Sequence, residues 1–149
     1  MLDLLNLIGG EYREAQNGTW LDNIDPATGQ VFARIPRSGK DDVAAAYTAA
    51  ESAFPLWSST SIEKRAACLR NLAHIVSQNA EALAQAESQD NGKPLSLARA
   101  VDIPRAEKNL AFFAGAIEQF PSEAHIPAGP THINYTHRKP IGVVGCISP

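Results

Sequence analysis

Two cysteines are the only thiols in 149 residues, and the second stands in the closing stretch IGVVGCISP, residues 141 to 149. A catalytic cysteine needs a neighbour that lowers its pKa or takes its proton. The sequence neighbours of Cys146 are apolar, so it reads either as a nucleophile at the mouth of a site or, more plainly, as a thiol packed in a core. Cys68 lies beside the apolar stripe of a helix. No CxxC spacing is present, so neither a zinc site nor a disulfide scaffold is favoured and both thiols are expected to be reduced. Four histidines, His74, His125, His132 and His137, lack an HExxH arrangement, and the last three straddle a loop and a strand, so no metal site is expected. Glu87 and Asp90 in ESQDNGK could form an acid and base pair, but this segment already serves to stop a helix. Gly142 and Gly145 give GxxG and not the GxGxxG turn of a dinucleotide site.

These residues need elements to hold them. LNLIGGEYRE reads as a hairpin about Gly9 and Gly10, since paired glycines accept the positive φ of a two-residue turn. DPATG at 25 to 29 is a turn leading into a strand over 31 to 36. Ser38 with Asp41 matches a capping pattern ahead of an amphipathic helix whose stripe is Val43, Tyr47, Ala50, Phe54 and Trp57. Thr60 with Glu63 caps a second helix, with Ile62, Ala66, Leu69, Ala73 and Val76 inward and Leu72 and Ile75 widening the stripe. A third helix spans 80 to 89 and is stopped by Asn91, Gly92 and Pro94. A fourth begins near Ser96 and continues through Ala106, Leu110, Phe113, Ile117 and Phe120; Pro104 either kinks it or opens a new first turn. Residues 121 to 130 are expected to be a loop, 131 to 139 an alternating strand, and 141 to 147 a strand covered on both faces. In an open parallel sheet, ligands sit beyond the carboxyl ends of the strands, which singles out Ile147, Ser148 and Pro149.

Composition sets the outer bounds. With 44% hydrophobic and 19% charged residues a buried core is possible, and a net charge of -3 without a basic stretch argues against nucleic acid as the partner. MLDLLNLIGGEY lacks the cationic start of a signal peptide, and no window approaches the roughly 18 apolar residues of a membrane span. A cytoplasmic protein with no membrane partner is the expectation.

In order along the chain, LIGGEY, DPATGQVFARIP, AFPLWSS, EKRAACLRNLA, ESQDNGKPLSLARA, FFAG and YTHRKPIGVVGCISP resemble the N-terminal part of the aldehyde dehydrogenase superfamily. The resemblance implies an α/β fold in which an opening hairpin and helices, residues 1–130, pack on the cofactor-binding domain. Residues 131–140 would form an oligomerisation strand, and 141–149 would open the parallel dinucleotide-binding sheet. It further implies a homo-oligomer, an aldehyde substrate, NAD or NADP as cofactor, and a cofactor edge at Ile147, Ser148 and Pro149. In the family a cysteine attacks the aldehyde, hydride leaves to the cofactor and a glutamate activates water; these groups, the oxyanion asparagine and the cofactor-binding lysine belong to later motifs. No catalytic residue maps onto this chain, Cys68 and Cys146 included. In relatives ISP is followed by tryptophan and that asparagine, both absent here. Asp25 stands where many relatives carry asparagine, and a turn accepts either. SGKDDV and AESQDNGKPLSLARAVDIPRA resemble the muconic semialdehyde branch, with betaine aldehyde or other semialdehydes next.

Two functional expectations follow. The first is the N-terminal portion of an NAD-dependent aldehyde dehydrogenase, inactive as a separate chain. The second is a structural or interaction module that pairs with a full-length subunit through THINYTHRK as an edge strand.

Overall fold

The computed structural model describes residues 2–129 and 131–147. The chain starts with five short strands: β1 (Leu2–Asp3), β2 (Asn6–Ile8), β3 (Glu11–Arg13), β4 (Trp20–Ile24) and β5 (Val31–Pro36). β2 and β3 form the expected hairpin, with Gly9 at φ 63 and Gly10 at φ 84 making its two-residue turn. β1, β5 and β4 form one sheet in that order, β1 parallel and β4 antiparallel to β5. Arg34 joins all three strands. Its guanidinium donates to both carboxylate oxygens of Asp3, at 2.9 and 2.8 Å, and lies 5.0 Å from the centre of the Trp20 ring. β1 and β4 were not evident in the sequence, because neither shows the alternation that marks a half-buried strand.

Four longer segments of helix follow: α1 (Lys40–Ser58), α2 (Ile62–Gln78), α3 (Ala80–Asn91) and α5 (Ile103–Gln119), the last preceded by the single turn α4 (Leu95–Leu97) and a π-helical turn, Ala98–Asp102. Both expected caps move by one residue. Gly39 is the N-cap of α1, and its N–H donates to Asp42 Oδ2 at 2.8 Å, so Asp42 takes the role assigned to Asp41. Ser61, not Thr60, caps α2 by accepting from Lys64 N. Pro104 lies in the first turn of α5, where its missing N–H costs nothing, and the widened π turn before it absorbs the change of register.

Asp42 is buried and ties the entry loop to α1, since its Oδ1 accepts from Gln16 N at 2.8 Å. The N–H groups of Gly39 and then Gln16 hold its carboxyl below the usual carboxylate range. At the opposite end of the sheet, Asn23 Nδ2 donates to Asp90 Oδ1 at 2.6 Å and the turn 25–29 rests on the end of α3. There Gly92 adopts φ 75, and a Cβ at this position would stand 3.0 Å from Pro26 Cβ. Gly92→Ala is therefore expected to cost about 2 kcal/mol, the left-handed strain plus contact with a ring that cannot rotate away. Amide exchange over residues 20–36 and 88–92 should quicken about thirtyfold; unchanged protection would contradict this docking.

The core is small-residue packing between helices. α2 and α5 share the most extensive helix contact, with Ala66 and Ala73 buried on one and Ala114 on the other. The seam of α5 runs Leu110, Ala114 and Ile117, while Phe113 and Phe120, expected inside, face outward. Arg70 on α2 pairs with Glu118 on α5 at the seam's edge. Arg99 grips Glu81 and, with help from Gln85, holds its carboxyl at about 2.

Among the described residues no large side chain is fully buried. The stripe expected on α1 is uncovered: Val43, Tyr47 and Trp57 are exposed, as are Leu72 and Ile75 of α2. Total accessible surface is 11282 Å², where a compact monomer of 16.0 kDa has about 7,400 Å². The apolar faces are patterned for burial, yet nothing in the described chain covers them.

The last third departs furthest from expectation. Within the segment expected to be a loop, β6 (Ala124–His125) pairs antiparallel with β7 (Asn134–Tyr135), and Thr136 N adds a hydrogen bond to Glu123 O at 2.8 Å; the strand expected over 131–139 is reduced to this. Residues 141–147 form no strand, and Ile141, Val144 and Ile147 are exposed. A strand exists only through a neighbour's hydrogen-bond ladder, and no such neighbour stands beside this run among the described residues.

Candidate functional site

The run 141–147 reaches the body of the protein at the aromatic end of α1. That helix continues through Pro55, which donates no hydrogen bond, and its last carbonyls are covered by side chains instead. Ser58 Oγ donates to Pro55 O at 3.1 Å, Ser59 Oγ to Leu56 O at 2.9 Å and Thr60 Oγ1 to Leu56 O at 3.0 Å. Arg65 of α2 donates to Thr60 O at 2.8 Å, tying the end of α1 to the next helix. The end of the helix that carries Phe54 and Trp57 is thus closed by local hydrogen bonds.

Two open clefts lie between this turn and the following chain. One, about 340 Å³, is lined by Ala50, Ala53, Phe54, Trp57 and residues 142–144. The other, about 430 Å³, is lined by Phe54, Trp57, Ser58, Arg65, residues 139–142 and Val144. Phe54 and Trp57 belong to both. A third opening lies between the β2–β3 turn and Ala46, Ala49, Ala50 and Ala53 of α1. All three are shallow, and apolar side chains dominate the lining of the two at Phe54 and Trp57, the larger of which also carries Ser58, Arg65 and Lys139.

Of the residues singled out for the cofactor edge, Ile147 is wholly exposed, and Ser148 and Pro149 lie outside the described residues. Cys146 is exposed, which corrects the expectation of a packed thiol: the strand that would have buried it is not formed. Cys68, on α2, is exposed too. Glu87 and Asp90 are engaged structurally. Lys93 Nζ lies 2.8 Å from Asp102 Oδ2 and 3.2 Å from Glu87 Oε1, and these carboxylates, Asp102 first, raise its pKa. Asp90 holds Asn23, as described above. His125 meets Asn134 across β6 and β7 at 3.3 Å, and His132 lies 3.0 Å from Thr131 Oγ1. Among the described residues no group of three His, Cys, Asp or Glu is placed to hold a metal ion, and no helix is long and apolar enough to cross a membrane.

The structure thus gathers no nucleophile, base and oxyanion donor at one place among the described residues; it gathers scaffold. What sequence reasoning missed is the aromatic seat itself. Phe54 and Trp57 were legible as a helix stripe, and their three-residue spacing was the available signal, but nothing in the pattern says which chain segment faces them.

Likeness to known proteins extends over the whole length. Residues 12–149 match the aldehyde dehydrogenase family. The chain is 44% identical over 149 residues to 2-aminomuconic semialdehyde dehydrogenase of Bos taurus, covering 100% of this chain and 30% of that protein. It is 36% identical over 153 aligned positions to 2-hydroxymuconic semialdehyde dehydrogenase of Pseudomonas sp. (strain CF600), covering 32% of it. Its fold is similar to the crystal structure of PnpE in complex with nicotinamide adenine dinucleotide, with a TM-score of 0.87 and 33% identity over 95% of this chain and 28% of that one. The chain spans about a third of the length of the curated relatives it matches. A helical scaffold with its apolar faces uncovered, matched almost from end to end, places this chain in the aldehyde dehydrogenase family.

Proposed function

We propose that this chain forms the amino-terminal part of an NAD-dependent aldehyde dehydrogenase that oxidises a semialdehyde of the aminomuconic or hydroxymuconic type to its carboxylic acid. The observation that carries the reading is identity of 44% sustained over all 149 residues with an enzyme named for that substrate. In this reading residues 1–130 are the hairpin and helical part of the cofactor-binding domain, 131–140 a subunit-contact strand, and 141–149 the opening strand of the dinucleotide-binding sheet. The enzyme is a homo-oligomer working in the cytoplasm, a setting consistent with two free thiols.

The described residues fit one edge of a nicotinamide cofactor and no more. Ile147 offers an uncovered branched side chain for a ring face, with Ser148 and Pro149 proposed beside it. NAD, or NADP in its place, supplies the hydride acceptor. The chain's own contribution is the apolar side chain of Ile147 at that edge. A purely structural module is less favoured, because the likeness runs through the whole chain and is not confined to one edge strand.

The test is a chimera in which this chain replaces the matching segment of the Bos taurus enzyme. It is expected to form the parent's oligomer and to reduce NAD with 2-aminomuconic semialdehyde at a kcat/KM within about tenfold of the parent, a change of about 1.4 kcal/mol. An assembled chimera that oxidises acetaldehyde or betaine aldehyde in preference would overturn the substrate class, and one that oxidises no aldehyde would overturn the reading as a whole.

A further inference from the structure

We infer that this chain, as a separate molecule, docks on the remaining carboxyl-terminal part of an aldehyde dehydrogenase subunit through apolar stripes on α1 and α2, with no peptide link between the two. The inference rests on the functional reading above and adds that the interface suffices to hold the parts together. On α1 the stripe is Val43, Tyr47, Ala50, Phe54 and Trp57, spaced by three and four residues and exposed except for the half-buried Phe54. On α2 it is Cys68, Leu72 and Ile75, at the same spacing and exposed as well. Neither stripe carries a charge. Each lies on a helix that has already spent another face: α1 on the β2–β3 hairpin, where Gly9 approaches Ala49, and α2 on α5, over Ala66 and Ala73.

Two observations identify the occupant. The first is that these helices stand as they do inside far longer chains, because the likeness to the PnpE structure takes in nearly all of this chain and under a third of that one. The larger part of such a subunit is what stands available to cover an apolar face left bare here. The second is area. The chain exposes about 3,900 Å² more than a compact monomer of its mass, within the range of about 2,000 to 5,000 Å² that obligate interfaces bury. Ordering a loosely packed chain on docking takes back part of that gain. The side chains held in reserve are large, however, whereas those that hold the free chain together are mostly alanine. Residues 141–147, unpaired here, gain their strand neighbours in the same event.

The experiment co-expresses the 149-residue chain with the Bos taurus enzyme lacking the segment that this chain matches, and takes the covalent chimera described above as reference. The two pieces are expected to elute together in equal amounts at about 1 μM, and to reduce NAD at a kcat/KM within about tenfold of the chimera. Cys68 reports the contact directly. Its alkylation by a maleimide, located by mass spectrometry, should slow about tenfold or more in the pair relative to the chain alone. Val43→Glu and Leu72→Glu should each weaken assembly about tenfold or more, since docking would bury the new carboxylate unpaired. Both side chains are exposed in the free chain, so its helical signal should not change. Thr48→Glu, on the polar side of α1, should assemble like the unsubstituted chain.

Pieces that fail to co-elute while the chimera is active overturn the inference and leave the functional reading standing. A homodimer of the 149-residue chain that does not exchange for the remainder does the same, with a second copy as the occupant. Assembly that tolerates both glutamates, or that leaves Cys68 as reactive as before, overturns the assignment of the stripes. If the chimera itself is inactive, the functional reading fails first, and docking is judged by co-elution and Cys68 protection: their presence sustains it and their absence overturns it.

Discussion

Heating the 149-residue chain by itself is expected to give no sharp unfolding transition. Ellipticity should fall gradually, and the chain should bind a hydrophobic dye before any heating. The reason is the ratio of what is buried to what is ordered. Fixing each residue costs about 1 to 2 kcal/mol of backbone entropy, and burial of apolar surface is the main term that offsets it. Here the fully buried apolar positions among the described residues are almost all alanine: Ala33, Ala66, Ala84, Ala98 and Ala114 are each 0% exposed. The residues able to bury the most surface, among them Leu56, Trp57, Phe112, Phe113 and Phe120, stand at the surface. The accessible surface exceeds that of a compact monomer of this mass by about 3,900 Å², an area in the range that obligate interfaces bury. A monomer with one cooperative transition and an unfolding enthalpy near 100 kcal/mol, the value about 150 residues should give, would show that the scaffold sustains itself.

The second large effect is expected at the α2–α5 seam. Ala114→Leu adds a branched side chain where the helices have no room, and overpacking of this kind costs about 1 to 3 kcal/mol. Because the seam is the chain's main tertiary contact, that is a large share of what holds the helices together. Helical signal should drop, and amides of both α2 and α5 should lose about ten- to hundredfold in protection. Phe113→Leu, one residue away on the exposed face, is the control and should change little. If the two substitutions are equally tolerated, the seam does not hold the helices together.

Much of the scaffold was legible because local chemistry dictates it. The hairpin follows from two glycines that accept positive φ, the α3 stop from Gly92, and the helices from apolar spacing of three and four. Cap positions shifted by one residue because several adjacent residues can cap and only the backbone path chooses among them: Gly39 with Asp42 and Ser61 with Lys64 won over Ser38 and Thr60. The family resemblance was equally legible, carried by short motifs in order, and the match over residues 12–149 bears it out.

The candidate site was legible only as a sequence of types. IGVVGCISP announced a covered strand, but whether a run pairs depends on what lies beside it, and the described structure leaves 141–147 unpaired against Phe54 and Trp57. The stripe of α1 likewise stated which side chains are suited to burial, and the structure decided that they are uncovered. Sequence by itself therefore determined the hairpin, the helices and the family, since these depend on backbone preference and on residues close along the chain. Tertiary structure alone decided which faces meet, that α2 and α5 close over alanines while the aromatic faces stay open, because burial is a property of neighbours brought together from far apart.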